Sequence, residues 1–178
     1  MIGWLILACE IGFWVFVCAG LFTRYVLHLK KLSGILLLCT PLLDLILIVM
    51  TVADMKNGAA ADFFHGLAAI YVGVTVAFGH QMIQWMDKYF AYWFAKGAKP
   101  ERTAKYGPEH AKRERMGWYR HLLAWAIGVA LLFGIIAIVG NPEQTDKLQK
   151  MAGGWSIVLL IDFVISFSYT IMPRKRPG

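Results

Sequence analysis

The sequence predicts an all-α membrane protein, a bundle of five transmembrane helices with the N-terminus outside and the C-terminus in the cytoplasm. Three observations predict it. Hydrophobic residues make up 58% of the chain and charged ones 16%, where a soluble domain is about half apolar and a quarter charged. The apolar residues gather into five runs of 19 to 21 residues, and a run of about 18 or more reads as a membrane-spanning helix. Fifteen of the eighteen Lys and Arg fall in alternate loops, the bias that sets orientation. Together these exclude an ordinary soluble enzyme, a disordered chain and a disulfide-stapled secreted domain. The net charge of +7 would suit nucleic acid, but the basic residues follow membrane topology. The expected partner is the lipid bilayer, with no nucleic acid.

The chain 1–178 reads as a single membrane domain. Its first span, 2–22, lacks a basic leading region and is interrupted by Glu10, so it is not a cleavable signal peptide. The second, 34–53, is framed by Lys30-Lys31 and by the turn Lys56-Asn57-Gly58. The third, 63–83, runs into Trp85, Tyr89, Phe90, Tyr92, Trp93 and Phe94, rings that favour the inner interface and suggest an amphipathic continuation of the helix. The fourth, 122–140, closes at Asn141-Pro142-Glu143, and the fifth, 154–172, at Pro173-Arg174-Lys175-Arg176. Each is roughly 28–32 Å long, close to the hydrocarbon thickness. The cytoplasmic loop 84–118 is strongly basic. It reads either as a solvated loop obeying the charge bias or as a site for an anion or lipid headgroup, and the first reading is the simpler.

The informative residues are ionisable groups inside spans. Glu10, Asp44 and Asp162 fall near the middles of the first, second and fifth spans, within roughly 3 Å of one depth. Each costs about 2.5–3.5 kcal/mol when alone at a helix centre. No Lys or Arg lies inside any span, so the acids are protonated, hold a cation, or pair with His65 near the outer end of the third span. Pro41, one turn before Asp44, frees the carbonyl of Leu37. Tyr71 offers a hydrogen-bonding hydroxyl. The expectation is an intramembrane proton or ion site of Glu10, Asp44, His65 and Asp162, supported by Pro41 and Tyr71. The competing reading is neutral glue between helices, worth only about 0.6–2 kcal/mol per bond.

Other chemistry is weakly signalled. HExxH, GxSxG, Walker and Rossmann patterns are absent, so no catalytic residue is assigned. Cys9, Cys18 and Cys39 have no metal-ligand spacing, so neither a metal nor a cofactor is expected. His28, His80 and His121 cluster near the cytoplasmic interface, which leaves a haem-bearing electron carrier as a third reading. His65, Ala69, Gly73 and Ala77 form an i, i+4 ladder, with Ala124 and Gly128 a shorter one. Such small-residue seams let helices approach closely, within the chain or between copies. The functional readings are then proton- or cation-linked transport, or an accessory subunit of a larger membrane complex or homo-oligomer.

Several segments carry a resemblance: Cys9-Glu10-Ile11-Gly12-Phe13-Trp14, Thr40-Pro41-Leu42-Leu43-Asp44-Leu45, His65 to Gly73 and on through Ala77-Phe78-Gly79, Met82-Ile83-Gln84-Trp85, and Leu160-Ile161-Asp162-Phe163. In these the chain resembles an uncharacterised family of small multi-pass membrane proteins of Gram-positive bacteria. The resemblance implies an all-helical integral protein of the cell membrane. It brings no activity, substrate or cofactor.

Overall fold

The computed structural model describes residues 2–94 and 106–172; within them, the side chains at positions 2, 3, 5–7, 10, 38, 41 and 44 lie outside the description. The described residues form five helices: α1 (Ile2–Tyr25), α2 (Lys30–Lys56), α3 (Phe63–Phe94), α4 (Gly107–Val139) and α5 (Pro142–Ile171). Among them α3, α4 and α5 are long and apolar enough to cross a membrane, and Ile11–Tyr25 forms a shorter apolar stretch of α1.

Local chemistry explains the breaks. Gly140 ends α4 in the left-handed region at φ 69°, where a side chain would be strained. Asn141 then caps α5, its Oδ1 accepting from the backbone N–H of Glu143 at 3.1 Å. Pro142 follows at the first helical position, where its missing N–H costs nothing. The helix α2 runs unbroken past position 41. The Leu37 carbonyl that Pro41 cannot serve accepts instead from the Thr40 hydroxyl at 2.9 Å.

The segment 84–118, read as a basic loop with an amphipathic continuation of the third helix at its start, is helical at both ends. The helix α3 continues to Phe94 and α4 begins at Gly107. The apolar run ends where the membrane environment is to end, but the helix need not end with it. Ring contacts at helical spacing carry α3 onward: Trp85 to Tyr89 at 4.5 Å between centroids, Tyr89 to Trp93 at 5.6 Å.

The helices pack antiparallel in sequence order. Gly12 of α1 lies against Leu43 of α2, and Gly20 against Leu37. Gly73 of α3 lies so close to α4 that a Cβ there would be 2.4 Å from the Ala124 carbonyl oxygen. Gly128 in turn carries the Trp155 ring of α5, which a Cβ would meet at 2.3 Å. Arg24 of α1 reaches Asp87 of α3 at 3.6 Å. One end of the bundle therefore gathers the start of α4, the end of α3 and the turn from α1 to α2. It holds Arg24, Lys30, Lys88, Lys112, Arg113 and Arg115, and is termed the basic end below. The opposite end holds the α2–α3 and α4–α5 turns, tied by a bond from the Ala61 N–H to the Gln144 carbonyl at 2.8 Å.

Large apolar side chains cover the outside. Ile157, Val158, Leu160, Ile161, Val164 and Ile165 of α5 are all more than half exposed. In water such a surface would be a liability; in hydrocarbon it needs no cover.

Candidate functional site

Two imidazole–carboxylate groups stand out. The first joins α4 and α5. His121 Nδ1 lies 2.7 Å from Asp162 Oδ2, and the Ser166 hydroxyl donates to Asp162 Oδ1 at 3.4 Å. The pairing follows from the hairpin. The turn at Gly140-Asn141 is tight, so residues about twenty positions from it on either side come level. The Trp125 indole donates to the Ser156 hydroxyl at 3.0 Å, the Trp118 indole to the Leu159 carbonyl at 3.3 Å, and Arg115 to the Thr170 hydroxyl at 2.7 Å. These bonds lock one register. The His121 ring rests against Phe78 of α3 at 5.1 Å. His121 and Asp162 line a cleft of about 280 Å³, otherwise walled by apolar side chains such as Val74, Phe78, Trp155 and Val158.

The second group closes the α2–α3 turn. His65 is buried, with its ring between two carboxylates: Nδ1 lies 2.6 Å from Asp62 Oδ1 and Nε2 lies 3.0 Å from Asp54 Oδ2. Asp62 also caps α3, accepting from the His65 backbone N–H at 3.0 Å. Burial alone would raise the Asp62 pKa, but the hydrogen bonds from the His65 backbone and ring and the nearby His65 charge outweigh it, and the carboxyl is held below its usual range.

These positions separate residues expected together. His65 finds its partners in Asp54, at the end of α2, and Asp62, just before α3, and not in a carboxylate at mid-helix. Asp162 meets α3 at Phe78, thirteen positions along the helix from His65, or roughly 20 Å. Cys9, next to Glu10 in the chain, packs with Leu47 at Ala68 and Tyr71. That level is seven to ten positions, roughly 10–15 Å, from Phe78 along α3. Along α3, the Asp162 contact and the Cys9–Leu47 contact therefore lie at different levels. Hairpin register sets what Asp162 meets. The side chains of Glu10, Pro41 and Asp44 lie outside the described residues. His80 bonds Gln84 on its own helix at 2.9 Å. The small residues Ala69, Gly73, Ala124 and Gly128 meet within the chain, the Ala69 carbonyl lying 3.3 Å from a Cβ at Gly128; Ala77, further along α3, is half-buried. Among the described residues no group of three or more His, Cys, Asp or Glu could hold a metal ion.

The chain is 43% identical over 176 residues to the uncharacterised membrane protein YmcC of Bacillus subtilis (strain 168), covering 98% of this chain and 94% of YmcC. The chain belongs to the family of that membrane protein. No family model matches it, and no solved structure matches it. Like its relative, this member of the YmcC family is a membrane protein, and three of its helices are long and apolar enough to cross a bilayer.

His121, Asp54 and Asp62 are the site residues that reading the sequence for spans missed as a group. His121 sits one residue before the fourth apolar run, and both aspartates sit in the turn between two runs. A signal existed for one of them. Asp62 three residues before His65, ahead of an apolar run, is the spacing of a helix cap. Nothing local marks His121 as the partner of a residue 41 positions away.

Proposed function

We propose that this YmcC-family member crosses the cell membrane five times, with its basic end in the cytoplasm, and that it works through proton exchange at Asp162 and His121. The charge bias of the loops supports the orientation. One observation carries the function: an imidazole and a carboxylate from two helices, 2.7 Å apart, in the wall of an otherwise apolar cleft. At that distance one proton lies between the two groups. Adding or removing a proton changes the net charge of the α4–α5 contact. Asp and His facing a bundle interior or a cavity are the material of intramembrane proton relays. Bonds between helices in lipid contribute little stability, about 0.6 kcal/mol on average, so holding the bundle together is a weak reason for the pair.

The test is a purified sample reconstituted in vesicles with a trapped pH dye, paired with infrared carboxyl bands followed from about pH 5 to 9, the range in which imidazole chemistry operates. A carboxyl band present in the wild type and missing in Asp162→Asn is expected. Proton flux should fall at least tenfold in Asp162→Asn and His121→Gln while elution and helicity stay unchanged. Bands silent across the range, with equal flux in all three proteins, would reduce the pair to helix glue.

A further inference from the structure

At the basic end a larger hollow opens beside the cleft. It has a volume of about 650 Å³ and is lined by Gln81, Lys112, Arg113, Arg120 and the carboxylates Glu109 and Glu114. Phe78 lines both this mouth and the apolar cleft, and Arg120 of the mouth precedes His121 of the cleft. Together the two are the size of a ligand site, roughly 300–1,000 Å³.

The charges in the mouth are unevenly matched. Arg113 is neutralised by Glu114 at 3.2 Å. Arg120 donates to the neutral Gln81. Neither Arg120 nor Lys112 has a carboxylate partner among the described residues, and Glu109 is the one remaining opposing carboxylate of the lining. The mouth therefore offers two cations without an ion-pair partner and an excess of one positive charge. Behind it, the cleft offers an apolar wall of Val74, Phe78, Trp155 and Val158. Its one carboxylate, Asp162, is occupied by His121 and Ser166.

We infer that this groove holds an anionic glycerophospholipid. The phosphate sits between Lys112 and Arg120, and an acyl chain runs past Phe78 against Trp155. A free anion would satisfy the mouth and leave the cleft unused, while a neutral lipid would fill the cleft and leave the cations unmatched. A molecule with a phosphate joined to a long chain meets both, and basic pockets between membrane helices recognise such headgroups. The inference does not rest on the proton reading, although the acyl chain would share the cleft with Asp162 and His121.

Trp155 is a built-in reporter. The full-length protein is reconstituted in phosphatidylcholine vesicles, and brominated phosphatidylglycerol or brominated phosphatidylcholine is titrated in; the difference between wild type and Trp155→Phe isolates the Trp155 signal. Brominated phosphatidylglycerol should quench Trp155 at a mole fraction at least fivefold lower than brominated phosphatidylcholine. The preference should shrink in high salt and in Lys112→Gln/Arg120→Gln. Native mass spectrometry of the wild type gives a reading that needs no variant, with one phosphatidylglycerol retained per chain. Equal quenching by the two lipids would mean ordinary bilayer contact and overturn the inference. So would full competition by inorganic phosphate, which would make the mouth a site for the free anion.

Discussion

The two histidine–carboxylate groups use the same chemistry to opposite ends. His65 is enclosed, both ring nitrogens are matched by carboxylates, and one of those carboxylates caps a helix. His121 is half-exposed, has one carboxylate partner, and stands in the wall of a cleft. The first group joins the end of one helix to the start of the next, with the ring itself buried between the two carboxylates. The second joins two helices and faces open space. An imidazole–carboxylate pair is thus not a function by itself; enclosure and access decide between staple and site.

The largest effect should come from the frame that both groups share. Gly73→Leu puts a side chain into the Ala124 carbonyl oxygen, where even a Cβ would be at 2.4 Å. Overpacking of this kind costs on the order of 1–3 kcal/mol, and Leu should sit at or above the top of that range. Thermal melting in detergent, followed by elution profile, should show the largest loss of any variant here. An unchanged melt would mean that the α3–α4 crossing is looser than described.

Next in size is His65→Leu. It leaves the Asp62 cap but removes the buried bridge to Asp54, and roughly 1–3 kcal/mol is expected. His121→Gln should cost about 0.6 kcal/mol or less in the same melt. If the two variants melt alike, the contrast between staple and site fails.

A pH series separates the groups further. The folded pKa of Asp62 lies below its unfolded value near 3.8. Its contribution is therefore complete above that value and is lost as pH falls through the lower folded pKa. Melting should vary little on this account between about pH 7 and 5 and decline below about pH 4. Asp62→Asn should flatten that decline. A decline of the same size in Asp62→Asn would place the acid sensitivity elsewhere.

An equally small stability change, about 0.6 kcal/mol or less, is expected of Asp162→Asn, although this variant should lose its carboxyl band. A large stability loss with no spectral change would reverse the roles assigned to the two groups.

Much of the architecture was legible because it rests on local chemistry. Gly140-Asn141-Pro142 is a helix stop, a cap and a helix start in three residues, and the chain turns there. Thr40 beside Pro41 supplies the hydroxyl that the freed Leu37 carbonyl accepts from. The seam from Ala69 through Gly73 to Gly128 announced a close crossing; its partner helix was a matter of packing. The site was less legible. His121 and Asp162 are 41 residues apart, and a span-by-span reading assigns His121 to the interface and Asp162 to the middle. They meet because a tight hairpin sets register by distance from the turn, whatever the position of the apolar runs. Those runs are unequally placed about the turn: 122–140 abuts it and 154–172 begins well beyond it.

What the amino-acid sequence by itself determined is the class of molecule. Twenty-residue apolar runs can satisfy their backbone in lipid only as helices, and the loop charges bias how those helices cross the membrane. Neither conclusion depends on which helix touches which. The tertiary structure decided the pairings: Asp162 with His121, His65 with Asp54 and Asp62, Gly73 with the backbone of α4, and the joining of a basic mouth to an apolar cleft at Phe78. Long-range contacts of this kind are set by register and by how closely two backbones can approach. Both are properties of helices packed together, not of any one run of residues.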